Sequence, residues 1–170
     1  MRSILRNFTA YEDGSNFHLV VKELVLPAIR DMTEEARGGG MDVPVDVALG
    51  LQKLAAEIKL EGRSRDLMLK AGLKPGMHKR VTFRGYSVDE LDGAEHSELV
   101  IIEGRINANP DAWKHGGIVG VSYPVTSIIY FKHAVDGEVI HEIDAANMVR
   151  IVGGVDQNTG ARDALGMGTS

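Results

Sequence analysis

The chain has 170 residues, 44% hydrophobic and 25% charged, a length and balance that fit one soluble globular domain able to bury its own core. There is no cysteine, which excludes disulfides and thiolate metal sites and fits synthesis in a reducing cytoplasm. The formal net charge of −5 argues against affinity for nucleic acid, because such binding depends on neutralising phosphates with Lys and Arg.

The N-terminal stretch MRSILRNFTAYEDGSNF holds no apolar core of signal-peptide length, and no later run approaches a membrane span. The first β-rich segment is Phe17 to Ile29, with Pro27 near its end, where a missing N–H donor is tolerated. Next comes EARGGGMDVPVD, in which three glycines follow Arg37. Beyond them Met41, Val43, Val45 and Val47 alternate with Asp42, Pro44 and Asp46, a strand-like period of two. The glycine run lacks the Lys-Ser/Thr of a phosphate loop and no clear helix follows it, so a flexible or inter-subunit loop over 33–46 is the expectation. Arg37 beside it suits a bidentate ion pair across an interface.

Leu54, Ala56, Ile58 and Leu60 alternate with Lys53, Ala55, Glu57 and Lys59 and predict a strand, although these residue types also favour helix. Ser64 to Ala71 predicts the single short helix: Ser64 caps, Asp66 sits in the first turn and Gly72 stops it. Strands resume over 79–88 and 98–108. In the second of these Val100, Ile102 and Ile106 share one face, and Glu103, Arg105 and Asn107 share the other, the mark of an antiparallel sheet wet on one side. Over 125–144, Asp136-Gly137 between alternating runs predicts a two-residue hairpin whose central residues both take positive φ. From about 155 to 170 the tail is polar and glycine-rich, expected to be disordered or ordered by a partner. The whole chain, 1–170, reads as one mainly β domain, with neither internal repeats nor low-complexity tracts.

No catalytic constellation emerges. The six histidines show no metal-ligand spacing on a recognisable helix. His133 and His141 flank the Asp136-Gly137 turn and are placed to face one another, with Glu142 and Asp144 nearby. A metal-dependent hydrolase there is one alternative, and solvated strand faces explain the same residues more simply. No nucleophile elbow supports a Ser-His-Asp reading. No cofactor is expected, and no catalytic or metal-binding residue is assigned. Trp113, the only tryptophan, lies in the turn-like NPDAWKHGG as either a buried anchor or an interface anchor. A monomeric β-sandwich binding module is a third alternative.

Several of these stretches together resemble the major tail tube proteins of contractile-tailed phages and R-type pyocins, relatives of type VI secretion tube proteins. The likeness runs from about Asn7 to Gly166. It includes Asp13-Gly14, Leu26-Pro27, Arg37 to Val45 (RGGGMDVPV), Gly104-Arg105 and Asp111-Ala112-Trp113-Lys114. It continues with Val135-Asp136-Gly137, Glu142-Ile143-Asp144, Asn147, Arg150 and Gly154-Val155-Asp156-Gln157. Asn107-Ala108 stands where the family usually has Lys-Glu, and Gly117 where an acid is common.

The resemblance implies a structural virion protein rather than an enzyme, with an antiparallel β-sandwich or barrel-like fold. Six copies would form a ring, their strands joining into a closed inner barrel, and rings would stack into a tube assembled in the host cytoplasm. Such closure removes exposed strand edges. Arg37, Gly38, Gly39, Gly40, Met41, Asp42 and Trp113 are then candidate contacts between subunits or rings, and Glu103, Arg105 and Asn107 candidates for the channel wall. Implied partners are further copies of the chain, a sheath protein, a tape-measure protein in the channel, and a baseplate hub and tail terminator. Six chains at −5 carry −30, a wall past which DNA slides without specific binding. A tube of a DNA-free pyocin or type VI particle is the alternative within the same architecture.

Overall fold

A computed structural model describes residues 3–12, 15–16 and 21–167. Asp13-Gly14 and the part of the first expected strand at 17–20 lie outside the described residues. The elements run β1 (Ser3–Glu12), β2 (Ser15–Asn16), β3 (Val21–Val25), β4 (Asp31–Ala36), β5 (Val45–Leu51), β6 (Ala56–Leu60) and α1 (Arg65–Met68). They continue with β7 (Lys79–Asp89), β8 (Glu95–Ile106), β9 (Asn109–Pro110), β10 (Val121–Val135), β11 (Glu138–Asp144), β12 (Val149–Val152), β13 (Val155–Asp156) and α2 (Thr159–Ala164). The fold is mainly β, and all its strand pairs are antiparallel.

The principal sheet has the order β13-β12-β11-β10-β8-β7-β1-β2. β10 is its pivot. The first half of β10 pairs with β6, Tyr123 opposite Ile58, and β6 pairs in turn with β3. The second half lies between β8 and β11, Phe131 opposite Ile102 and Ile143. Between the halves, four steps along β10 (Thr126 to Tyr130) span two along β8 (Arg105 to Glu103), and Ser127 takes φ 48°. A bulge of this kind bends a strand and lets it serve two layers. Ala56, Ile58, Leu60, Val121, Tyr123 and Val125 from one layer meet Ala10, Val81, Phe83, Val100, Ile102 and Phe131 from the other in a single buried cluster. No closed barrel forms among the described residues of the single chain.

Gly104 is required by the bulge. A Cβ there would lie 2.8 Å from the Thr126 carbonyl oxygen and 3.0 Å from Val125 Cγ1. Backbone cannot step aside as a flexible side chain does, so Gly104→Ala is expected to cost about 1–3 kcal/mol. A denaturant titration checks this; a loss below about 0.5 kcal/mol would show that the bulge yields freely.

Ser64 caps α1 by accepting from the Leu67 N–H at 3.4 Å, which seats Leu67 in the core. Asp136 and Gly137 take φ 51° and 84°, and Val135 pairs with Glu138, the two-residue hairpin that the Asp-Gly pair predicts. Leu54, Ala56, Ile58 and Leu60 are all buried, so the alternation there marks a strand and not a helix.

Several boundaries differ from expectation: β6 starts at Ala56 and not Lys53, α1 is Arg65–Met68, β8 is Glu95–Ile106, and β10 starts at Val121 and not Val125. The strand after the glycines begins at Val45, not Met41, because Pro44 has no donor for the ladder and Met41 N–H turns back onto the Gly38 carbonyl at 3.0 Å. The stretch read as a loop over 33–46 therefore contains the end of β4 and the start of β5. A second short helix, α2, lies in the stretch read as a polar tail, and it is ordered by contacts within the chain.

The turn between β10 and β11 also clips onto β8. His96 Nδ1 lies 2.7 Å from Asp136 Oδ2, and Asp136 Oδ1 accepts from the Ser97 N–H at 2.7 Å. The bond to Asp136 raises His96 above its ordinary value, and the same bond, with the Ser97 amide, holds the Asp136 carboxyl below its own. The histidine's contribution is complete below its unfolded value near 6.5 and fades as pH rises through the raised folded value. The aspartate's is complete above its unfolded value near 3.8 and fades as pH falls through the lowered one. The clip thus contributes most between about pH 4 and 6.5. Thermal unfolding of the parent and His96→Asn across pH should differ most near pH 5–6 and least near pH 9. A gap independent of pH would show that the charges do not matter.

Candidate assembly surfaces

β4 and β5 form a two-stranded sheet of their own, with the glycine run at its tip. The tip is closed by Arg37 Nε donating to the Met41 carbonyl at 3.4 Å and by Met41 Sδ lying 3.3 Å from Gly38 N. At the base, Gln52 bonds Arg30 and Asp31 through its N–H (2.8 Å) and Nε2 (3.1 Å), and Arg150 lies 3.8 Å from Asp31. Between base and tip every residue of β4, and of β5 up to Gly50, is exposed.

Pairing sets the two faces of this ribbon. Ala36 lies opposite Val45, and Glu34 opposite Val47. Val45, Val47 and Leu49 therefore form an apolar stripe, 50%, 44% and 54% exposed. On the other face Glu35 stands directly opposite Asp46, two like charges at a pairing position that disfavours them. An isolated two-stranded ribbon is marginal in water, and this one also wastes apolar surface and opposes carboxylates. It has the form of an arm completed by another molecule.

Trp113 is 79% exposed, which removes the buried-anchor reading. It stands on the loop between β9 and β10 with the Arg63 guanidinium 4.6 Å from its ring centre, and Ile118 of the same loop is also exposed. A stacked cation over an exposed indole presents a rigid aromatic surface of the type enriched at interfaces.

Glu103 and Arg105 lie on the polar face of β8 with Asn107 just past its end. Arg80 Nε donates to Glu103 at 2.8 Å while its guanidinium lies 5.2 Å from the Tyr130 ring centre. Arg105 donates to the Leu73 carbonyl at 2.8 Å, and Asn107 to Thr126 Oγ1 at 3.1 Å. Beside them Tyr130 donates to Glu142 at 2.7 Å, and Lys132 reaches Glu142 at 3.2 Å. Burial, reinforced by Glu142, pushes the Tyr130 hydroxyl up to about 12, so it stays a donor at physiological pH. This face is charged yet internally paired.

His133 does stand opposite His141 across the hairpin. His133 Nε2 lies 3.4 Å from Glu98, Glu142 is engaged by Tyr130 and Lys132, and Asp144 accepts from Ala146, Asn147 and the Asn147 side chain. Among the described residues no three His, Asp or Glu side chains gather to hold a metal ion. No helix among the described residues is long and apolar enough to cross a membrane.

The alternation of Val45 and Val47 pointed to a strand, but no signal in the sequence showed that it pairs with β4 alone, apart from the principal sheet. Asp156 was singled out only within the Gly154-Val155-Asp156-Gln157 stretch of the resemblance and Arg162 not at all, yet the two organise the C-terminal segment.

The chain thus presents an exposed apolar ribbon, an exposed tryptophan and a polar sheet face whose charges are paired within the chain. Residues 2–166 match the family model described as phage tail tube protein FII. The chain is 33% identical over 150 residues to the major tail tube protein of Serratia phage KSP20, covering 85% of this chain and 84% of that protein. It is 26% identical over 167 residues to the tail tube protein of Escherichia phage P2, covering 96% of each. The chain belongs to the phage tail tube protein FII family. Members are structural components of the virion tail and not enzymes, and that is the role of this chain.

Proposed function

We propose that six copies form a ring, that strands join across subunits into a closed barrel, and that rings stack into the inner tube of a contractile tail. The channel carries the genome into the host without specific binding. The ribbon of β4 and β5 reaches a neighbouring copy, its stripe of Val45, Val47 and Leu49 is covered there, and the tip from Arg37 to Asp42 and Trp113 complete contacts between subunits or rings. Glu103, Arg105 and Asn107 face the channel. A sheath protein covers the outside, a tape-measure protein fills the channel before the genome, and a baseplate hub and tail terminator close the ends.

The observation that carries this reading is the ribbon, whose exposed apolar stripe and opposed Glu35 and Asp46 are costs to a solitary chain. The paired charges around Glu103 support the channel assignment, since a wall that satisfies its own cations offers phosphates little to hold. Negative-stain electron microscopy with light scattering across concentration tests it. Rings with a central hole, or stacked tubes, are expected. A monomer at every concentration would refute it.

A further inference from the structure

The edge of the principal sheet at β12 is occupied by the chain's own C-terminal segment. β12 reads Val-Arg-Ile-Val, a β-prone run of the type that recruits another strand when its backbone is free. Its outward groups are taken one after another. The Met148 carbonyl accepts from Asn158 Nδ2 at 3.2 Å and from Arg162 Nη1 at 3.0 Å. The Arg150 N–H donates to Asp156 Oδ1 at 3.4 Å, and the Arg150 carbonyl accepts from the Gln157 N–H at 2.7 Å. Val152 pairs with Val155.

One ion pair holds this arrangement. Arg162 is 8% exposed although it is a cation, and its second nitrogen binds Asp156. Asp156 Oδ1 also accepts from the Asn158 N–H at 3.0 Å, which starts the turn into α2. Arg162 beside it, with the Asn158 and Arg150 amides, holds the Asp156 carboxyl down at about 2. Met148 takes φ 57°, a left-handed conformation unusual for a side chain of its size. It closes the turn between β11 and β12, and its carbonyl carries both of these donors. Together with the two-residue strand β13, these groups cover the outward side of β12.

We infer that the segment from Asp156 to Met167 is an intramolecular edge lock, which keeps β12 itself from pairing with a second copy and leaves any strand joining across subunits to other strands. The occupant it excludes is another copy of this chain, whose strands have the complementary backbone groups and which is present at high local concentration wherever tubes are built.

Arg162→Ala and Asn158→Ala each remove donors from the Met148 carbonyl without touching β12. Amide hydrogen exchange on each variant, kept dilute, is followed by sedimentation velocity over concentration and a second exchange measurement on any associated species. The Arg150 amide is expected to exchange at least about tenfold faster in at least one variant while the β7 and β8 amides keep parental rates, which separates unlocking from unfolding. That variant should associate at about one tenth of the parental concentration, and its Arg150 amide should regain protection in the associated form. The lock is overturned if neither variant exposes the Arg150 amide, if exposure leaves association unchanged, or if the associated form leaves that amide exposed. Parental tube formation is scored separately, so failure of the tube reading is distinguishable.

Discussion

A Val47→Asp variant is expected to fold like the parent and fail to build tubes. Val47 is 44% exposed and sits in the middle of the apolar stripe of β5, so in the monomer the substitution should cost only about 1 kcal/mol, chiefly from the new carboxylate facing Glu34, or about 2–4 °C in unfolding temperature. In the proposed assembly the stripe is covered, so the new carboxylate is buried beside apolar groups and near Glu34, its cross-strand neighbour. A penalty of about 3 kcal/mol per contact raises the concentration needed for assembly about a hundredfold. Light scattering with thermal unfolding of the same samples separates the two effects. Tubes forming at the parental concentration would mean the stripe is not a contact.

Phe131→Ala acts the opposite way, on the fold and only through it on assembly. Phe131 is 2% exposed and lies between Ile102 of β8 and Ile143 of β11, just past the bulge that lets β10 serve both layers. Removing a buried phenyl ring costs about 3–5 kcal/mol. For a chain of this length that is a fall of about 6–20 °C in unfolding temperature. Assembly should fail in proportion to the unfolded fraction and recover on cooling. A fall under about 3 °C would show that neighbouring side chains close the cavity, contrary to the close packing described.

The comparison of sequence with structure turns on where periodicity survives. Ala56 to Leu60 and Val100 to Ile106 lie in strands with one buried face, and their alternation passes directly from sequence to sheet. Asp136-Gly137 was legible because a two-residue hairpin demands positive φ at both positions. β1 escaped notice because its register shifts between Leu5 and Asn7, which breaks the pattern at the point where a reader would count it. β10 was read only from Val125 for a similar reason. The bulge after Thr126 separates two regular halves, and the first, Val121 to Val125, belongs to a different layer from the second.

The candidate surfaces were legible in composition more than in geometry. Three glycines announced a tip, but nothing local showed that the strands behind it leave the principal sheet and carry their apolar side chains outward. Trp113 left two readings open, and its exposure removes the buried-anchor one. The polar C-terminal segment looked unstructured because its order comes from side chains bonding to a strand edge. Such bonds leave no repeat in the sequence.

The central claim is that the ribbon of β4 and β5 is an arm buried on a neighbouring copy. A cryo-electron microscopy reconstruction of the assembled protein tests it most directly. The account predicts hexameric rings in which Val45, Val47 and Leu49 are covered by another subunit and Glu103 and Arg105 face the channel. A tube in which that stripe stays in solvent, held together by other surfaces, would contradict it.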